Sequence, residues 1–161
     1  MKRFILILSM FALGFASCSK DDDTPPEAFD PVEQAKIDDQ VIKAYLDTHQ
    51  NINATKDETG LYFQILDPGT GAQVTTNSIV TTDYILKNIQ DKQLGADNSF
   101  VTGLSINSNI IDGWKIGLPK IKSGGKILLI VPSGLAYGNL QTGTLPANSI
   151  LIFTVTVKSV E

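Results

Sequence analysis

The residues best placed to do chemistry lie in one run and one loop. The run is Ile111-Asp112-Gly113-Trp114-Lys115-Ile116-Gly117-Leu118-Pro119-Lys120-Ile121, and the loop is Pro132-Ser133-Gly134-Leu135-Ala136-Tyr137-Gly138. The tryptophan opens a short helical turn, an apolar strand follows, and Tyr137 sits in the loop that closes it. No nucleophile–base pair, metal-ligand cluster or phosphate-binding glycine loop is visible alongside them. With one His and one Cys in the whole chain, a His/Cys metal site is excluded and a His-dependent triad is disfavoured. Aromatic and aliphatic side chains instead fall where a concave apolar pocket would collect them. Such a site works by binding, without metal or cofactor.

A scaffold must bring these residues together. From Gly60 onward the pattern is β. Leu61 to Leu66 reads as a strand closed by the turn Asp67-Pro68-Gly69-Thr70-Gly71. Ser78 to Ile89 alternates as a long strand, Asp91-Lys92 suits a hairpin tip, and Phe100 to Ile106 is a further strand. Lys126 to Val131 is apolar nearly throughout, as expected of a central strand covered on one face by a helix. Ile150 to Val160 alternates through Leu151, Phe153, Val155 and Val157. Several strands around one short helix predict an α+β fold, a curved antiparallel sheet wrapped around that helix. A further helix precedes it. Asp30 can cap it, Pro31 fits its first position, and Glu33 would complete a capping box. Ile37, Val41, Ala44 and Tyr45 recur at helical spacing, with Ile42 and Leu46 beside them, to about His49. This helix would dock on the β domain or mediate self-association. His49 reads as a solvated residue at a helix C-terminus.

The order Trp114 turn, apolar strand, Ala136-Tyr137-Gly138 loop resembles that of the FKBP-type peptidyl-prolyl cis–trans isomerases. The resemblance covers roughly Gly60 to Glu161 and is strongest from Ile110 to Val157. It implies an FKBP-like fold and a set of roles. Trp114 would be the pocket floor. Tyr84 would line the pocket from the long strand, with Phe100 and Phe153 as walls. Ile110 and Ile111 match the aliphatic pair before the tryptophan, the Ile111 N–H bonding the ligand. Tyr137 would donate its hydroxyl to the substrate, and Leu145 would sit on the rim. The family's Phe-Asp-Ser-Ser after the first hairpin is altered here. Aligned without gaps, Leu94 and Gly95 take the places of the phenylalanine and the aspartate. With two extra hairpin residues, Ala96 and Asp97 do, restoring the acid and the serine; Asp97 is then the acid of the site. Either way an aromatic wall is missing, which predicts a wider pocket and a reduced activity. The resemblance thus implies a peptidyl-prolyl isomerase that assists the folding of envelope or exported proteins. The alternative is a non-catalytic FKBP-like binding or chaperone module.

The N-terminus reads as an address. Lys2 and Arg3 precede an apolar stretch, Phe4 to Phe15, of signal-peptide length. It ends in Phe15-Ala16-Ser17-Cys18, which resembles a bacterial lipobox and makes Cys18 the lipidation site. The acidic, Pro-containing segment after it reads as a flexible tether. Its acidic run resembles the surface-export signal of Bacteroidetes lipoproteins, or is a plain solvated spacer. The expected organisation is signal peptide (1–17), lipidated tether (18–29), helix and linker (30–59) and FKBP-like domain (60–161). The location follows: the bacterial cell envelope, anchored by lipid to the outer membrane. Without Lys2 and Arg3 the chain keeps 11 basic against 17 acidic residues, a net of −6, with no basic cluster. Nucleic acid is therefore not an expected partner; proline-containing polypeptide segments are. The residues assign no oligomeric state.

Overall fold

The computed structural model describes residues 29–161. The expected signal peptide, Cys18 and nearly all of the tether lie outside them. Six strands form one sheet: β1 (Thr55–Lys56), β2 (Tyr62–Asp67), β3 (Ile79–Asn88), β4 (Gln93–Gly103), β5 (Lys126–Val131) and β6 (Leu151–Val160). Their order is β1-β2-β5-β6-β3-β4, and every pairing is antiparallel. Helix α1 spans Pro31–Thr48 and helix α2 Asp112–Gly117; short 3-10 turns follow at Leu118–Lys120 and Ser133–Leu135. This is the expected α+β arrangement, with the N-terminal helix in place.

The sheet buries both faces. On one, α2 packs against β5, with Trp114, Leu118, Ile127, Leu129, Val131, Phe153 and Val155 in a shared core. Two glycines set how close α2 can come. A Cβ on Gly113 would lie 2.5 Å from the Val131 side chain, and one on Gly117 would lie 2.6 Å from Leu129. On the other face α1 covers Ile130 and Ile152 with Ile42 and Tyr45. For β5 the sequence predicts a helix over one face, and α2 supplies it. The strand's near-continuous apolar run, Lys-Ile-Leu-Leu-Ile-Val, is explained by helices on both sides.

Local chemistry accounts for most boundaries. Asp30 caps α1 by accepting from the Val32 and Glu33 N–H groups, at 2.8 and 3.3 Å. Glu33 does not close a capping box; it pairs with Lys36 at 3.0 Å. His49 is not simply solvated. Its ring stacks on Tyr45 at 3.8 Å and meets Asp91 of the hairpin tip at 2.9 Å. The strand expected over Phe100–Ile106 begins seven residues earlier, at Gln93, and ends at Gly103. Small and polar residues from Gly95 to Ser99 hide the strand signal there. As the edge strand, β4 is held by pairing with β3 alone, so its outward face needs no apolar alternation. Ser99, at φ 79°, marks a bulge in that pairing.

Candidate active site

Trp114 enters from the first turn of α2, whose N-cap Ile111 is extended (φ −60°, ψ 147°). The helix start follows from that change of backbone direction, and the Trp114 N–H bonds the Ile111 carbonyl at 3.1 Å. Three rings from three strands close around the indole. Tyr84 of β3 lies 5.5 Å away, Phe100 of β4 5.9 Å and Phe153 of β6 5.5 Å, all nearly perpendicular to it. Tyr84 also meets Phe100 at 5.6 Å and Phe153 at 6.1 Å. Edge-to-face pairs of this kind contribute about 0.5–1.5 kcal/mol each beyond burial. The cluster is tight enough that Trp114 is only 1% exposed. Ile111 is buried in the same cluster, and Ile110 and Leu145 pack against it. The Ile111 N–H makes no hydrogen bond to backbone among the described residues.

The strand register decides which residues of the altered segment face the rings. Asp97 stands directly opposite Tyr84, so the two share a face; Ala96 stands opposite Ile85, on the other face. Gly95 stands opposite Leu86, back on the ring side. The Tyr84 hydroxyl is pushed above its ordinary value, first by burial, then by the nearby Asp97 and Tyr137 side chains. Asp97 itself is exposed, at the open edge of the cluster. All nine residues expected in the site thus gather on one side of the sheet, with Tyr137, 44% exposed, on the loop above them.

That loop is held by a residue absent from the sequence-based set. Asp38 of α1, 2% exposed, accepts from both the N–H and the hydroxyl of Ser133, each at 2.7 Å. The Ser133 carbonyl in turn receives the Gly138 N–H at 2.8 Å, and the Gly138 carbonyl receives the Asn148 N–H at 2.8 Å. Tyr137 lies between these fixed points. One signal could have exposed Asp38: it shares a helical stripe with Ile42 and Tyr45, where a carboxylate is out of place unless paired.

The missing aromatic wall does not uncover Trp114. Space appears instead beside the cluster, as a groove of about 710 Å³ bordered by Leu86, Leu94, Tyr137 and Leu145 on one side and by α1 on the other. A second cavity, about 430 Å³, lies on the far side of the Ser133 turn, against Tyr62 and Pro31. Among the described residues no cluster of His, Cys, Asp and Glu could hold a metal ion. No described helix is long and apolar enough to cross a membrane.

The profile of the FKBP-type peptidyl-prolyl cis-trans isomerase family matches residues 70–158, which carry every residue of the aromatic cluster. The FKBP-type peptidyl-prolyl cis-trans isomerase FkpA of Escherichia coli K12 is 36% identical over 106 residues, covering 64% of this chain and 38% of that protein. FkpA of Aeromonas hydrophila is 30% identical over 134 residues, covering 82% of this chain and 48% of that one. The chain therefore spans less than half the length of these curated relatives. The crystal structure of Escherichia coli FkpA superposes with a TM-score of 0.68 at 28% identity, covering 81% of this chain and 62% of that one. Strand order, ring cluster and sequence match agree on one conclusion: the chain belongs to the FKBP-type peptidyl-prolyl cis–trans isomerase family.

Proposed function

We propose that this chain catalyses cis–trans isomerisation of X–Pro bonds in polypeptides, without covalent or proton-transfer steps. The observation that supports it most is the Trp114 indole ringed by Tyr84, Phe100 and Phe153 beneath the Tyr137 loop. Rotation about an amide faces a barrier of about 18–20 kcal/mol because resonance keeps the bond planar. The planar form is also the more polar one. An apolar, water-poor site therefore disfavours it relative to the twisted form, and shape complementarity to the twist adds to that. Trp114, Tyr84 and Phe153 enclose the proline ring, with Phe100, Ile110 and Leu145 as wall and rim. The Ile111 N–H and the Tyr137 hydroxyl hold the flanking carbonyls. Asp97, across from Tyr84, orients the substrate amide. The half-buried Tyr84 and Phe100 rings swing aside to admit the proline.

The test is catalysis of a short X–Pro peptide by the full chain. Acceleration over the uncatalysed rate is expected. Tyr137→Phe, which keeps the ring, lowers kcat/KM by roughly threefold to tenfold, the range of a neutral hydrogen bond. A wild-type protein that accelerates nothing rejects the proposal.

One observation favours a second reading, a binding or chaperone module without turnover. Between Gln93 and Ser99 no aromatic residue replaces the missing wall. Binding of proline peptides with no acceleration is its signature.

The proposed setting is the bacterial envelope, where the enzyme would act on envelope or exported polypeptides. Lys2, Arg3 and the apolar stretch to Phe15 support a signal peptide, and Cys18 a lipid anchor in the outer membrane. The acidic tether supports export to the outer face. Cys18→Ser is expected to release the protein from membranes or leave it unprocessed; a variant still anchored and cleaved at the same place overturns the anchor. Residues 60–161 are proposed as the FKBP-like unit.

A further inference from the structure

The groove beside the ring cluster has one wall that the family match does not supply. Its near side is formed by Leu86 and Leu94 of the β3–β4 hairpin and by Tyr137 and Leu145 of the loop region, all within residues 70–158. Its far side is Ile37 and Val41 of α1, which lies wholly outside that segment. Ile37 and Val41 are 46% and 38% exposed, and Leu94 across from them 40%. These exposures need a reason, because the adjoining stripe of α1, Asp38, Ile42 and Tyr45, already docks the helix on the sheet and the Ser133 turn. Spacings of three and four residues put Gln34, Ile37, Asp38 and Val41 along one face of the helix, toward the groove.

We infer that α1 and the hairpin form an extended subsite for the client polypeptide, taking an apolar stretch of the chain next to the isomerising proline. This rests on the function proposed above and extends it from the proline to its flanks. The occupant is argued from continuity. Tyr137 and Leu145, which border the proline site, are also groove residues, so a chain held at the ring cluster leads directly into it. The chemistry of the walls fits a polypeptide. Apolar side chains on both sides offer contacts to apolar residues, and the exposed Gln90 amide along the groove can bond main-chain groups. The α1 wall is held rigidly, by Asp38 on Ser133 at one end and by His49 and Tyr45 on Asp91 at the other. The two walls are thus fixed relative to each other before a client arrives, which lowers the cost of binding.

The test compares two substrates with the full chain: a short X–Pro tetrapeptide, which fills only the proline site, and an unfolded protein whose refolding is limited by proline isomerisation. Ile37→Glu and Val41→Glu place a charge on the exposed flank of α1, beside the docked stripe, and Leu94→Glu does so from the opposite wall. Each is expected to leave the tetrapeptide rate within about twofold and to cut catalysis of protein refolding by about tenfold, through KM. Equal catalysis of refolding by the variants and the wild type overturns the subsite. An equal loss on both substrates also overturns it, since the effect then acts through the ring cluster or the fold. Should the wild type accelerate neither substrate, the isomerase proposal fails by itself. The subsite is then decided by anisotropy of a labelled unfolded polypeptide: binding weakened about tenfold by Val41→Glu upholds it, and unchanged binding rejects it.

Discussion

The Asp38 carboxylate on α1 takes two hydrogen bonds from Ser133, 95 residues away in sequence, and both are 2.7 Å long. Gln34 donates to its other oxygen at 2.8 Å. The contact fastens the N-terminal helix to the base of the loop that carries Tyr137. Asp38→Ala leaves the Ser133 N–H and hydroxyl buried without an acceptor. The expected cost is about 2–4 kcal/mol of stability, since bonds to a charged group contribute about 1.5–3 kcal/mol each and do not add fully. Denaturant unfolding of the variant checks this. A change within experimental scatter would mean that the loop holds itself.

The N-terminal helix is expected to be indispensable for folding. Every residue of the ring cluster lies after Gly60, yet the helix before it is part of the packing. Ile42 is fully buried and Tyr45 is 7% exposed, against Ile130, Ile150 and Ile152. Each such side chain contributes about 1.5–3 kcal/mol by burial. Removing residues 1–56 should therefore lower Tm sharply or abolish cooperative unfolding; a truncated chain that melts like the full one contradicts the packing.

Alkaline pH is expected to destabilise the protein. Burial, and then a hydrogen bond to Asp91, push the Tyr45 hydroxyl up to about 12 from the ordinary 10.0. Tyr62, through burial and Asp39, and Tyr84, through burial, Asp97 and Tyr137, shift the same way. A folded-state value above the unfolded one means stability that is full below pH 10 and is lost as pH rises toward 12. Thermal melts across that window should fall, and Tyr45→Phe should flatten part of the slope. A constant Tm there would contradict the assignment.

Restoring the missing wall offers a test of the register. Ala96 faces away from Tyr84, whereas Gly95 faces the rings beside Leu86. A Cβ on Gly95 meets nothing within 4 Å, so a side chain can be added there. Gly95→Phe is expected to raise kcat/KM on a short proline peptide by about twofold to tenfold, the scale of one aromatic contact. Ala96→Phe should leave it unchanged. The reverse order would place Ala96 on the ring side and refute the pairing of β3 with β4.

Much of this was legible in the sequence wherever one residue sufficed to fix a local choice. Asp30 and Pro31 start α1 as expected, and the near-continuous apolar run of Lys126–Val131 is β5 to the residue. Trp114 and Tyr137 stood out because each lies in a longer motif. What escaped depends on partners far apart in the chain. The strand character of Gly95–Ser99 comes from β3, not from its own composition. His49 becomes a bridge only because the hairpin tip brings Asp91 within 2.9 Å. Asp38 looks like one more helix carboxylate until Ser133 arrives above it. The orientation of Ala96 and Gly95 likewise needed the register, since one residue of slip exchanges the two faces.

Exchange spectroscopy on an X–Pro tetrapeptide with the full chain reads catalysis at the ring cluster itself. Among the described residues, Trp114 is the one aromatic side chain that pairs with Tyr84, Phe100 and Phe153 together. Wild-type protein is expected to speed cis–trans exchange, and Trp114→Leu, confirmed as folded, to lose about tenfold or more of that acceleration. A folded Trp114→Leu protein as fast as the wild type would contradict catalysis at that cluster.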